Sequence, residues 1–148
     1  MSTLQDRLKD EMKQAMRSKD KPRLGVIRLI MSAIKQIQVD ERIVLDDNQV
    51  IVVMDKMLKQ RRESIKQYRA ANREDLADVE EAEITVIQDF LPQALTEAEI
   101  AEMIQAVITD SSASSVKDMG KVMGILKPAM QGRADMAVVG AKIKAMLA

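Results

Sequence analysis

The chain has no cysteine, no histidine and no tryptophan, and among its 148 residues there is one tyrosine and one phenylalanine. Without cysteine there is neither a disulfide framework nor a thiolate nucleophile. Without histidine the commonest metal ligand and general base is also missing. No group of carboxylates has calcium-loop or histidine-carboxylate spacing, so no metal and no cofactor is expected. No window approaches the roughly 18 uninterrupted apolar residues of a membrane span, and the N-terminus has no apolar signal segment. These absences lead us to expect no membrane partner and a cytoplasmic location.

What is present is aliphatic. Hydrophobic residues make up 47% of the chain, so the core has to be assembled from Leu, Ile, Val, Ala and 12 methionines, a composition suited to helices. The formal net charge is zero, yet the charges are segregated along the chain. Residues 56–73 carry seven cations against Glu63 alone; residues 74–110 carry eleven acids and no cation; residues 115–148 carry six cations against two acids. Such asymmetry points to an anionic partner for the basic segments, or to acidic and basic helices facing each other.

Apolar spacing predicts seven helices and no strand, because no run shows sustained period-two alternation. The first begins near Ser2 or Thr3, where Ser2-x-x-Gln5 has capping-box form, and places Leu4, Leu8, Met12 and Met16 inward. Asp20-Lys21-Pro22 caps a second helix whose stripe is Leu24, Ile27, Met31 and Ile34, widened by Ile30 and Ile37. A polar connection over residues 40–47 precedes a long helix from Asn48 to Ala70, and a fourth runs from Glu74 to Phe90. Pro92 stops that helix and marks the boundary between subdomains 1–92 and 93–148. Thr96-x-x-Glu99 then opens a fresh helix with a capping box and a hydrophobic staple. Ser115 caps the next, Pro128 ends it after Lys127, and Asp135 starts the last, with Met136, Val139, Ile143 and Leu147 inward. The expected fold is all-α, with an N-terminal four-helix unit and a smaller three-helix C-terminal unit. A unit of roughly 55 residues is marginally stable alone and should lean on the first unit or on a partner.

Two surfaces stand out as candidate sites. In the sixth helix Val116, Met119, Val122, Met123 and Leu126 form the apolar stripe, while Lys117, Gly120, Lys121, Gly124 and Lys127 fall within about 120° on another side. A glycine inside a helix costs roughly 1 kcal/mol relative to alanine, so two of them one turn apart suggest close approach by another body. That body is a phosphate backbone or partner helix, with Arg133 adding charge, or else one of the chain's own helices packed on the glycines. In the third helix Lys59, Arg62, Lys66, Arg69 and Arg73 form a cationic stripe about 80° wide. It suits a row of phosphates, and equally a solvated face neutralised by Glu80, Glu81 and Glu83 of the next helix. Arg61 projects on the apolar side with Met57 and Ile65, where an arginine snorkels or pairs with a buried acid rather than binding a ligand. Ser114-x-x-Lys117 has the spacing of a serine nucleophile with a lysine base, but no glycine-rich oxyanion loop accompanies it and the serines there are ordinary caps.

The run Lys117-Asp-Met-Gly-Lys-Val-Met-Gly-Ile-Leu-Lys-Pro128 with Gly132-Arg-Ala-Asp135 resembles the YqeY family and the homologous C-terminal tail of the B subunit of aspartyl/glutamyl-tRNA amidotransferase. Lys59-Gln-Arg-Arg-Glu-Ser-Ile65, Tyr68, Arg73-Glu-Asp-Leu76 and Phe90-Leu-Pro92 are similar to the family's middle signature, and Arg23-Leu24 with Arg28-Leu29 to its early helices. Met136 and Gly140 depart from the glycine and serine common there. The resemblance implies an all-helical relative of an RNA-binding tail, engaged with tRNA and without chemistry of its own. Its partners would be tRNA and a tRNA synthetase or amidotransferase. The competing expectations are a protein-interaction module that takes a partner helix on Gly120 and Gly124, and a component associated with glutamine-dependent amidotransferase activity.

Overall fold

The computed structural model describes residues 3–148. Among them are seven α-helices and no strand: α1 (Thr3–Arg17), α2 (Lys21–Glu41), α3 (Asp47–Ala70), α4 (Glu74–Gln88), α5 (Glu97–Ser111), α6 (Met119–Met130) and α7 (Met136–Leu147). A 3₁₀ turn, Val116–Asp118, leads into α6. The helices group into two compact units, Met1–Leu91 and Pro92–Ala148.

In the first unit α3 packs along α4, and α1 and α2 close the bundle. The core takes Leu8 and Ala15 from α1, Ile27, Ile30 and Ile34 from α2, Met54, Leu58 and Ile65 from α3, and Ala77, Ile84 and Ile87 from α4. Met16 was expected inward and is 51% exposed. Strict i+4 spacing advances about 40° per step, so three steps from Leu4 carry Met16 off the stripe, and Ala15, seven residues after Leu8, fills the place. The Ser2 end of the expected first capping box lies outside the described residues. Gln5 ties α1 to the α2–α3 connection: its Nε2 donates to the Gln38 Oε1 and to the Leu45 carbonyl. Asp46 caps α3 with a reciprocal box to Gln49, a signal in the expected polar connection that sequence spacing had left unread.

α4 ends at Gln88, two residues short of the expected Phe90, which is buried at 1% exposure. Phe90 carries the Arg7 and Arg23 guanidiniums over its ring at 5.0 and 5.5 Å. Arg23 also pairs with Asp89 at 2.8 Å and Glu11 at 3.2 Å, so the end of α4 is fastened to α1 and α2 by one aromatic ring and its cations.

In the second unit Ile100 and Ile104 of α5, Val122, Leu126 and Met130 of α6, and Val139, Ile143 and Leu147 of α7 form a separate core. The Thr96 hydroxyl accepts from the Glu99 N–H, a cap worth about 1 kcal/mol, and Leu95 packs against the core beside it. α5 runs to Ser111, where Ser112 adopts a left-handed conformation (φ 56°) and closes the helix with its own N–H.

Candidate nucleic-acid interface

The loop after α5 is shaped by one carboxylate. Asp118 Oδ2 accepts from the backbone N–H of Ser114 at 2.9 Å and of Ser115 at 3.3 Å, which turns the chain into the 3₁₀ segment and then α6. Those two bonds, Ser114's first, hold the Asp118 carboxyl below the ordinary aspartate range, against a smaller opposing effect of desolvation. Lys117 therefore lies on the 3₁₀ turn, not on α6, and Val116, expected in the apolar stripe, is 42% exposed. From Met119 onward the regular helix buries Val122, Leu126 and Met130, with Met119 and Met123 half-buried beside them.

Pro128 does not end α6. The helix runs through it to Met130, with Pro128 inside. Proline lacks the N–H that would bond the Gly124 carbonyl, a loss least damaging in a last turn, where few further bonds depend on it. The chain leaves α6 through Gln131 (φ −58°, ψ 128°) and Gly132 (φ 77°), with the Arg133 N–H donating to the Met130 carbonyl at 2.8 Å. This is a type II turn, whose third position demands positive φ and hence glycine. The reverse tie comes from Arg133, whose carbonyl accepts from Leu95 N at 2.8 Å and whose Nε donates to the Gln93 carbonyl at 3.1 Å.

Gly120 and Gly124 are both exposed, and a Cβ built at either would meet nothing within 4 Å. Packing by the other helices of the second unit is thus not what those glycines serve. The glycine that does permit close approach is Gly140 on α7, where a Cβ would stand 3.3 Å from Met123 Cε and 3.5 Å from Met119 Cε. Its signal was present in the sequence, since Gly140 falls on the same side of α7 as Met136 and Ile143, whereas Gly120 and Gly124 fall off the apolar stripe of α6. Around the bare strip stand Lys117, Lys121 and Lys127, all exposed. Lys121 Nζ also donates to the Ser111 carbonyl at 3.1 Å, so it caps the C-terminal end of α5. Arg133 is half-buried and serves the Gln93–Leu95 connection as well as adding charge.

The α3 stripe is a different surface. Arg69 pairs with Glu74 and Glu81 at 3.2 and 3.1 Å, Arg73 with Asp75 at 3.0 Å, and Lys66 with Glu63 at 3.8 Å. The Arg73 hydrogen bond holds the Asp75 carboxyl below its usual range. Lys59 is exposed and Arg62 half-buried. Acids therefore take up much of the C-terminal half of this stripe, while among the described residues Lys117, Lys121 and Lys127 stand in no salt bridge, Lys121 acting on the Asp118 carboxylate only through its field. Arg61 is half-buried and grips Glu83 at 2.9 Å and Glu80 at 3.9 Å, with Nη1 donating to the Met57 carbonyl.

With the helical pair of units and the α6 face in place, comparison with known proteins is decisive about kinship. The sequence profile of the Yqey-like protein family matches residues 5–147. The chain belongs to the YqeY family. Among the relatives of this YqeY protein is "Altered inheritance of mitochondria protein 41, mitochondrial" of Pyrenophora tritici-repentis, 33% identical over 141 residues, covering 93% of the chain and 77% of the relative. The protein of the same name from Lachancea thermotolerans is 32% identical over 143 residues, covering 92% and 76%. These names correct the expectation of a cytoplasmic location: proteins alike over nearly the whole YqeY chain are mitochondrial. The absence of cysteine excludes dependence on disulfides and does not select among compartments, because an address is not a property of the fold. Among the described residues no helix is long and apolar enough to cross a membrane.

Proposed function

We propose that this YqeY protein is a non-catalytic tRNA-binding accessory that holds the RNA backbone on the α6 face, through Lys117, Lys121 and Lys127 around Gly120 and Gly124, with Arg133 at the edge. The observation that carries the proposal is the open strip itself: two exposed helical glycines with nothing within 4 Å of their missing side chains, flanked by three exposed ammonium groups. A bare backbone lets phosphates come near, and lysines on flexible stems meet them without fixed geometry. Base stacking has little to work with, since Phe90 is buried under two arginines and Tyr68 is half-buried, so recognition is by backbone and shape. The Lys59, Arg62, Lys66, Arg69 and Arg73 stripe is the secondary surface. Partners on this reading are tRNA and a tRNA synthetase or amidotransferase, in keeping with the likeness to the amidotransferase tail. Ser114 has no catalytic part: its N–H serves the Asp118 turn, and no intrinsic amidase activity is expected.

Titration with bulk tRNA at two salt concentrations tests this. Changing Lys117, Lys121 and Lys127 together to Gln should lower the salt slope by about 2 to 3, at roughly 0.7 to 0.9 per phosphate contact. Unchanged affinity and slope would remove the α6 face as the RNA site. A second reading, a groove for a partner helix, is favoured by Ile125, 51% exposed next to Gly124. Gly124→Leu blocks either ligand, but a helix groove would respond little to salt.

A further inference from the structure

A second surface lies wholly within the first unit. Between α2 and α4 runs a groove of about 910 Å³. Between its walls Gly25 and Ala82 add little or no side chain, and nothing comes within 4 Å of a Cβ built at Gly25. Its lips are apolar: Leu29 on α2 is 50% exposed and Val79 on α4 is 57% exposed. An open space between two apolar lips is the shape that receives the apolar face of a helix.

The two walls differ in charge. On the groove α4 presents Asp78 and Glu83 and no cation. Arg61 engages Glu83 and Glu80, and Arg23 engages Asp89, but Asp78 stands exposed on the groove beside Val79. The α2 wall brings Lys21 at one end, with Asp20 next to it occupied in capping the helix. From Pro22 to Leu29 the groove accompanies about two turns of helix, or roughly 10 Å. We infer that the α2–α4 groove docks a short amphipathic helix of a protein partner, with Ala and Leu anchors one turn apart and a Lys or Arg flank turned toward α4. Charge complementarity selects that occupant, because an acidic flank would meet the anionic wall and be repelled. The surface is distinct from the α6 face and independent of RNA binding.

The test uses the full chain and two synthetic helical peptides of about 15 residues, long enough for helix to persist. They share one Leu/Ala stripe and differ in carrying Lys or Glu along one flank. The basic peptide should bind at least tenfold more tightly than the acidic one, and should shift the amide signals of Gly25, Leu29, Val79 and Ala82. Gly25→Leu should weaken it at least tenfold with an unchanged far-UV spectrum, since the added side chain enters open space in the groove. Asp78→Lys should weaken the basic peptide several-fold and strengthen the acidic one. Equal affinity for both peptides, or a Gly25→Leu variant that binds as the parent does, would overturn the proposal. It would also be overturned if the parent dimerised with concentration and Gly25→Leu abolished the dimer, which would assign the groove to a second copy. Loss of tRNA binding in Gly25→Leu would assign it to RNA.

Discussion

Gly140 and Met123 bring α6 and α7 so close that even a methyl between them would be crowded: a Cβ at Gly140 would lie 3.3 Å from Met123 Cε. The obstacle is the far end of a flexible thioether, so a single methyl can be accommodated where a branched side chain cannot. Gly140→Ala should change stability by less than about 1 kcal/mol, gained helix propensity offsetting the crowding, while Gly140→Leu should cost about 1 to 3 kcal/mol by overpacking. Gly120→Ala and Gly124→Ala should each stabilise by up to about 1 kcal/mol, since nothing opposes the added methyl. Denaturant unfolding followed on amide signals of residues 92–148 distinguishes the four variants, and a destabilised Gly124→Ala would contradict an open strip.

Pro128 occupies the last turn of α6, where it withholds an N–H from the Gly124 carbonyl. Pro128→Ala should therefore raise the denaturation midpoint of this unit, by about 1 kcal/mol or more and at most the roughly 3 kcal/mol that separates the two residues in a helix interior. An unchanged or lowered midpoint would mean that proline's restriction of the unfolded chain outweighs the missing bond.

The arginines of α3 make a graded series. Arg61 keeps 13% side-chain exposure between Glu80 and Glu83, whereas Arg69 is 48% exposed against Glu74 and Glu81. Truncating Arg61 to Ala should cost about 2 kcal/mol, because charge-assisted bonds are lost and half-buried carboxylates lose their partner. Arg69→Ala should cost less than Arg61→Ala, and less again at high salt. Equal losses at both positions, in unfolding measured at two ionic strengths, would show that burial does not separate them.

Asp118 gives the chain a pH-dependent turn. Its carboxyl titrates lower in the folded chain than in the unfolded one because it accepts the Ser114 and Ser115 N–H groups. The stabilisation is thus present above the unfolded aspartate value and is lost as pH falls through the lower folded value. On acidification the amide signals of Ser114 and Ser115 should move together with the Asp118 carboxyl carbon, with a midpoint below that of an ordinary aspartate. Asp118→Asn should flatten that titration and fray the start of α6. A midpoint at or above the ordinary value would refute the assignment.

The helices were legible because apolar spacing, caps and prolines act locally: Asp20, Thr96 and Asp135 each begin a helix where their side-chain oxygen meets a nearby N–H, and α3 ends at Ala70 as expected. The open α6 strip was partly legible, as two glycines off the apolar stripe. What the sequence by itself determined is an all-α chain with segregated charge and no thiol or imidazole chemistry. Only the tertiary structure decided that Gly140 and not Gly120 or Gly124 takes the close contact, that Arg69 reaches Glu81 of α4 while the α6 lysines stand in no salt bridge, and that α6 passes through Pro128. The reason is physical. Period and capping depend on neighbours within one turn, whereas contact and neutralisation depend on which residues of other helices arrive opposite, and no local spacing contains that information.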